Sequence, residues 1–147
     1  MTAYNSSNSN RIFKASSDAV RVMSEVVDFS STTNAGGDTF DVIGVPANTL
    51  VLAAGCDILT ADTAGNSGTL AVGDSSGAAI YSAAAAPTST GQKTLTDDPK
   101  AYSAGDDIRL TVASGAINGK VRVWATMISL DKGGSDVDAD TQNVTFA

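Results

Sequence analysis

The chain has no histidine, one cysteine and three prolines. Without histidine there is no imidazole to serve as general base, as a triad member or as a zinc ligand. The single thiol, Cys56, rules out an intrachain disulfide and cannot build a tetrahedral zinc site. It sits in an apolar stretch with no histidine to activate it, so it reads as a buried small hydrophobe. Glutamate is nearly missing: of 16 acidic residues, Glu25 is the one Glu and the other 15 are Asp. Asp competes with its own backbone for hydrogen bonds and prefers turns, so the imbalance argues against helix. Clusters of Lys and Arg are missing too, and the net charge is −7, which argues against direct nucleic-acid binding. The acidity fits solubility. No run approaches the roughly 18 apolar residues of a membrane span. The first ten residues lack the basic start and apolar run of a secretory signal. A chain that needs no disulfide suits cytoplasmic folding.

What is present is short strands between Asp, Gly, Ser and Thr turns. Apolar residues keep period two in Phe40-Asp41-Val42, in Asp107 to Val112 and in Val121-Arg122-Val123. That period puts one face in a core and the other in water. Turn signals recur about every 8–12 residues, the spacing of a sandwich or barrel. We expect one all-β domain, an antiparallel, jelly-roll-like β-sandwich of about eight strands over 19–147. Residues 1–18 form a polar, Asn/Ser-rich N-terminal arm that orders only against a partner.

The first strand is expected over Ala19–Phe29, with a bulge near Met23 where the alternation slips. The next two are expected over Thr39–Val45 and Thr49–Thr60, separated by Pro46. In the third strand Leu50, Leu52, Ala54, Cys56 and Ile58 share one parity, while Val51, Ala53 and Leu59 share the other. Strands follow at Thr69–Gly73 and Ala78–Ser82, with a brief strand or turn entry at Lys93–Thr96. Ala83–Ala86 has helical propensity but is too short to form a helix and is stopped by Pro87. Asp107–Ala113 and Lys120–Leu130 are expected to form a hairpin across 114–119, where Asn118-Gly119 is the strongest turn signal. That hairpin would set Arg109 and Arg122 side by side as a subunit or partner contact. Trp124 reads as a core or interface anchor. A last strand or tail falls at Asn143–Phe146.

Chemical constellations fail one after another. Asp136-Val137-Asp138-Ala139-Asp140 begins like a calcium loop, but Thr141 stands where Gly is needed and Ala147 where a bidentate Glu is needed. Asp62, Asp74, Asp97 and Asp98 are better explained by turn chemistry than by a looser calcium site. Asp97-Asp98 and Asp106-Asp107 are sequence neighbours, which on strands aims them at opposite faces. No phosphate loop is present, because Gly65-Asn66-Ser67-Gly68 lacks the Lys and the following helix. No enzyme activity and no cofactor are expected.

Several segments carry a family resemblance. Val45-Pro46-Ala47-Asn48-Thr49-Leu50-Val51-Leu52-Ala53-Ala54-Gly55 is one. Thr60 to Asp74, ending in Thr69-Leu70-Ala71-Val72-Gly73-Asp74, is the next. Tyr102 to Leu110 and the closing Val121-Arg122-Val123-Trp124-Ala125 complete the pattern, over about residues 38–130. This pattern resembles small β-sandwich structural proteins of tailed bacteriophages, of the capsid decoration (cement) or head-fibre type. Its Ala104-Gly105-Asp106 to Leu110 part is also similar to the complement and tumour-necrosis-factor jelly rolls. The resemblance implies a virion protein on the capsid exterior, folded in the host cytoplasm. Its partner would be the major capsid protein, whose assembled head it stabilises. The alternative is a fibre, knob or host-adhesion module, with recognition on loops 61–68, 83–92 and 131–141. Arg11, Ile12, Phe13 and Lys14 of the arm and Arg21 are the expected particle contacts. The strands at 49–60 and 120–130 read as covered on both faces, so a homo-oligomer, dimer or trimer, is expected. Neither nucleic acid nor membrane is an expected partner.

Overall fold

The computed structural model describes residues 20–65, 67–93, 95 and 98–130. Nine strands run through them: β1 (Arg21–Asp28), β2 (Thr39–Val45), β3 (Thr49–Thr60), β4 (Thr69–Asp74), β5 (Gly77–Ala85), β6 (Gly91–Gln92), β7 (Lys100–Tyr102), β8 (Asp106–Ala113) and β9 (Lys120–Ser129). One sheet runs β1-β9-β3, with β6 and β7 both on the far edge of β3. The other runs β2-β8-β4-β5. Every pairing is antiparallel.

The pairings nest. β1 meets β9, β2 meets β8, β3 meets β6 and β7, and β4 meets β5. This is a long two-stranded ribbon, with β4–β5 as its tip. Rolling that ribbon over adds the contacts β3–β9 and β4–β8. Such a rolled ribbon is the jelly-roll topology. The ninth strand arises because β6 and β7 share one position. Along that edge the register to β3 moves by two residues between Asp57↔Gln92 and Val51↔Lys100. Between them Pro99 has no N–H to donate to the ladder.

The core lies between the sheets. Val51, Ile58, Val72, Ile108, Leu110, Val112, Val121 and Val123 are all at or near full burial, with Tyr81 and Cys56 among them. Burial pushes the Cys56 thiol up to about 11, so it stays protonated and inert. β8 shows the period-two alternation throughout.

The structure corrects four expectations. β1 has no bulge near Met23; its register to β9 is unbroken from Arg21↔Met127 to Asp28↔Lys120. The alternation slips because β1 is exposed on both faces. β3 is bulged between Val51 and Ala53. The inward set is therefore Val51, Ala54, Cys56 and Ile58, not the single parity that includes Leu50 and Leu52. Ala83–Ala85 continue β5 as strand, which Ala78–Ser82 understated. The segment 114–119 is not a hairpin, because β8 and β9 belong to different sheets. Gly119, at φ +105°, turns the chain across the sandwich instead. The expected strand or tail at Asn143–Phe146 and the arm 1–18 lie outside the described residues.

Candidate interaction surface

The two outer faces differ in chemistry. On the β2-β8-β4-β5 sheet, Arg109 points outward beside Ile108 and Leu110, which point in. Its guanidinium donates to Asp41 on β2. On the other sheet, Arg122 points outward from β9 and donates to Asp57 Oδ2 on β3 at 2.7 Å. Arg109 and Arg122 thus sit on opposite outer faces, each with its own carboxylate. The expected side-by-side pair fails because the 114–119 connection joins two sheets.

The outer face of the β1-β9-β3 sheet carries a shallow groove of about 350 Å³. Val22 and Ser24 of β1, Arg122 and Trp124 of β9, Asp57 of β3 and Gln92 of β6 line it. Trp124 lies directly opposite Gly55 in the ladder. A Cβ at Gly55 would meet the indole Cζ2 at 3.2 Å and also Leu95. The missing side chain lets the ring lie down on β3. Trp124 is therefore a half-buried surface anchor, not a core residue. The groove can stack and hydrogen-bond a ligand.

Beside the groove, β1 is the outermost strand of its sheet among the described residues. Every residue from Val20 to Val26 is exposed. Val22 is 71% exposed, Val20 56%, Val26 53% and Met23 46%. Arg21, an expected contact residue, begins this strand and is exposed. Arg11, Ile12, Phe13 and Lys14 lie outside the described residues.

At one end of the sandwich a buried polar cluster ties the two sheets together. Asp74 Oδ1 accepts from Ser76 N at 2.8 Å and Ser76 Oγ at 2.7 Å. Asp74 Oδ2 accepts from Tyr102 OH at 2.5 Å and from Lys100 Nζ. Tyr102 OH in turn lies 2.6 Å from Tyr81 OH. Burial alone would raise the Asp74 pKa; the bonds from Lys100, Tyr102 and Ser76 overcome that and hold it well below the usual carboxylate range. Burial and the neighbouring Asp74 push Tyr102 far up, so it stays a donor. Sequence reasoning found Asp74 only as a turn residue. Its partners Lys100 and Tyr102 lie more than twenty positions away, and no local pattern marks them.

Loops at the other end interlock. Asn34 exchanges two hydrogen bonds with the backbone of Ile117, at 2.8 and 2.7 Å. Asp62 accepts from Ala64 N and Asn118 N, both at 3.0 Å. Ser67 Oγ donates to Ser114 O at 3.1 Å. Loop 61–68, expected as a recognition loop, is thus tied to its neighbours. Asp62 and Asp74 serve turns and struts, and among the described residues no three His, Cys, Asp or Glu side chains converge.

No protein-family model matches the chain, and no curated protein does. Among solved structures, a chain of the cyanophage Pam1 capsid asymmetric unit shares 26% identity with a TM-score of 0.58. That match covers 74% of this chain and 84% of the other. The chain resembles phage structural proteins. A chain of the acidic stable capsid structure of Helicobacter pylori bacteriophage KHP30 aligns at TM-score 0.56 and 9% identity, over 74% of this chain and 85% of that one. The second likeness establishes the shared fold. The first extends to sequence, over a similar share of the chain.

Proposed function

We propose that this chain is a virion structural protein, a decoration or cement protein on the outside of an assembled phage head. The observation that carries the reading is the likeness to a chain of a cyanophage capsid at 26% identity over most of both chains. The surface chemistry agrees. A net charge of −7 suits an outer shell better than contact with packaged DNA. A cement acts by linkage: it binds the assembled lattice and not the loose subunits, so the lattice gains stability. Many weak copies bridging neighbouring capsomers add avidity. The major capsid protein is the proposed partner. Arg11, Ile12, Phe13 and Lys14 are the proposed particle contacts, ordering on the shell as the chain binds. Arg21 has a different use, argued below.

The test is a binding and melting experiment on assembled heads that lack the protein. Added protein is expected to bind in hundreds of copies per head and to raise the temperature of shell disruption. The double variant Arg11→Ala, Lys14→Ala is expected to bind more weakly. Tens of copies with no thermal gain would reject the cement reading. That outcome would favour an adhesion module, whose ligand surface would be the groove around Trp124, Gln92 and the Arg122–Asp57 pair.

A further inference from the structure

Sheet edges are where proteins guard against unwanted pairing. Natural edges are short, bulged, broken by proline or blocked by charge. β1 is neither short, bulged nor broken by proline, and the charge it carries, in Arg21, Glu25 and Asp28, is of mixed sign. It runs eight residues without proline, its register to β9 is unbroken, and no strand lies on its other side among the described residues. β1 holds Val22, at 71% the most exposed large apolar side chain among the described residues, and Val26, which is 53% exposed. Its charges between Val20 and Val26 are Arg21 and Glu25, of opposite sign and four residues apart.

That spacing has a consequence for self-pairing. Residues of one parity share a face of a strand, so Arg21, Met23 and Glu25 point the same way. In an antiparallel ladder, residues directly opposite each other also share a face. A second β1 can therefore pair in few registers. Centred on Glu25, two glutamates meet. Centred on Ser24, Met23 faces the partner's Glu25. Centred on Met23, each Arg21 faces the partner's Glu25, the two methionines meet on the axis, and Val20 faces the partner's Val26. Only this last register satisfies both charges twice over.

We propose that β1 pairs with β1 of a second copy across a two-fold axis at Met23, so that the sheet continues through both subunits. The contact is isologous and closes as a dimer. It covers the open ladder and the apolar side chains on both faces of β1. It forms in solution without a capsid, so it stands or falls apart from the cement reading. Seven residue pairs make a small interface, so micromolar association is expected.

Sedimentation equilibrium of the full chain tests this, with circular dichroism to confirm folding. The wild type is expected to be a concentration-dependent dimer. R21E sets glutamate against glutamate twice, and E25R sets arginine against arginine twice. Each is expected to weaken the dimer about tenfold or more. The double variant R21E/E25R restores both pairs with reversed sign and is expected to recover the wild-type constant. A chain that is monomeric at all concentrations overturns the proposal. So does a dimer indifferent to the single changes, which would put the contact on another face. A folded double variant that stays weak overturns it too. A dimer lost on deletion of residues 131–147 would assign the edge to that segment instead.

Discussion

β1 and β8 are strands of equal length, eight residues each, and both mix branched apolar residues with charge. β8 lies between β2 and β4, and its inward residues Ile108, Leu110 and Val112 are fully buried. Among the described strands β1 has a single neighbour, and its first six residues are exposed. The difference is one of place, since both segments have strand propensity. A central strand has its ladder and its core face filled by its own chain. An edge strand has half of its hydrogen-bonding groups and both of its faces left to spare. β8 and β9 thus carry much of the buried core, whereas β1 leaves exposed apolar surface.

The comparison breaks most sharply with matched truncations. Leu110→Ala, in β8, is expected to cost about 2–5 kcal/mol by opening a cavity between the sheets. Val22→Ala, in β1, should change stability by less than about 0.5 kcal/mol at protein concentrations too low for association. Urea unfolding of both variants checks the pair. Comparable losses would mean that β1 is as well packed as β8.

Next in size is the strut between the sheets. Asp74→Asn leaves the Lys100 and Tyr102 donors with a weaker acceptor and should cost about 1–3 kcal/mol at neutral pH. The pH dependence has a definite sign. The folded pKa of Asp74 is depressed, so on acidification the unfolded chain takes up the proton first. Asp74's contribution is complete above the ordinary carboxylate range and disappears as pH falls toward the depressed folded value. The gap between wild type and Asp74→Asn should hold from neutral pH to about pH 5 and close below pH 4. A gap that widens on acidification would remove the ion pair from the account.

The smallest effect is expected on the outer face. Asp57→Ala removes the carboxylate that holds Arg122, a pair exposed to solvent. Its cost should be about 0.2–1 kcal/mol and should shrink in high salt. A larger, salt-independent loss would show that the groove floor, including Trp124, depends on this pair for its packing.

Much of the fold was legible in the order of residues. β2 and β3 begin and end where Gly37, Pro46 and Gly65 surround alternating apolar runs. The class followed from that punctuation and from the scarcity of Glu. What could not be read has physical causes. A bulge such as the one at Leu52 needs no special residue, yet it reverses the parity of everything after it. A turn signal such as Asn118-Gly119 marks where the chain reverses, not which strand it meets next. Here it leads into the opposite sheet. Asp74 announces a turn through Ser76, while its other oxygen answers to Tyr102 from a distant strand. Arg109 and Arg122 were read as one contact, but each has a carboxylate on the neighbouring strand. Arg21 stands out in the sequence only as an expected particle contact. The value of its spacing from Glu25 emerged only once β1 proved to be the sheet's outermost strand.

The nested pairing also governs how the molecule comes into being. A ribosome releases β9 after every other described strand, yet β9 forms the middle of its sheet, between β1 and β3. Until it emerges, β1 has no neighbour and β3 lacks its longest one. Among the described strands the tip hairpin β4–β5 is the one pairing between consecutive strands. Assembly must wait on partners from remote parts of the chain, which makes for slow folding, on the order of milliseconds to seconds. The nascent chain thus carries bare strands until β9 is made, and that strand decides whether it closes or clumps.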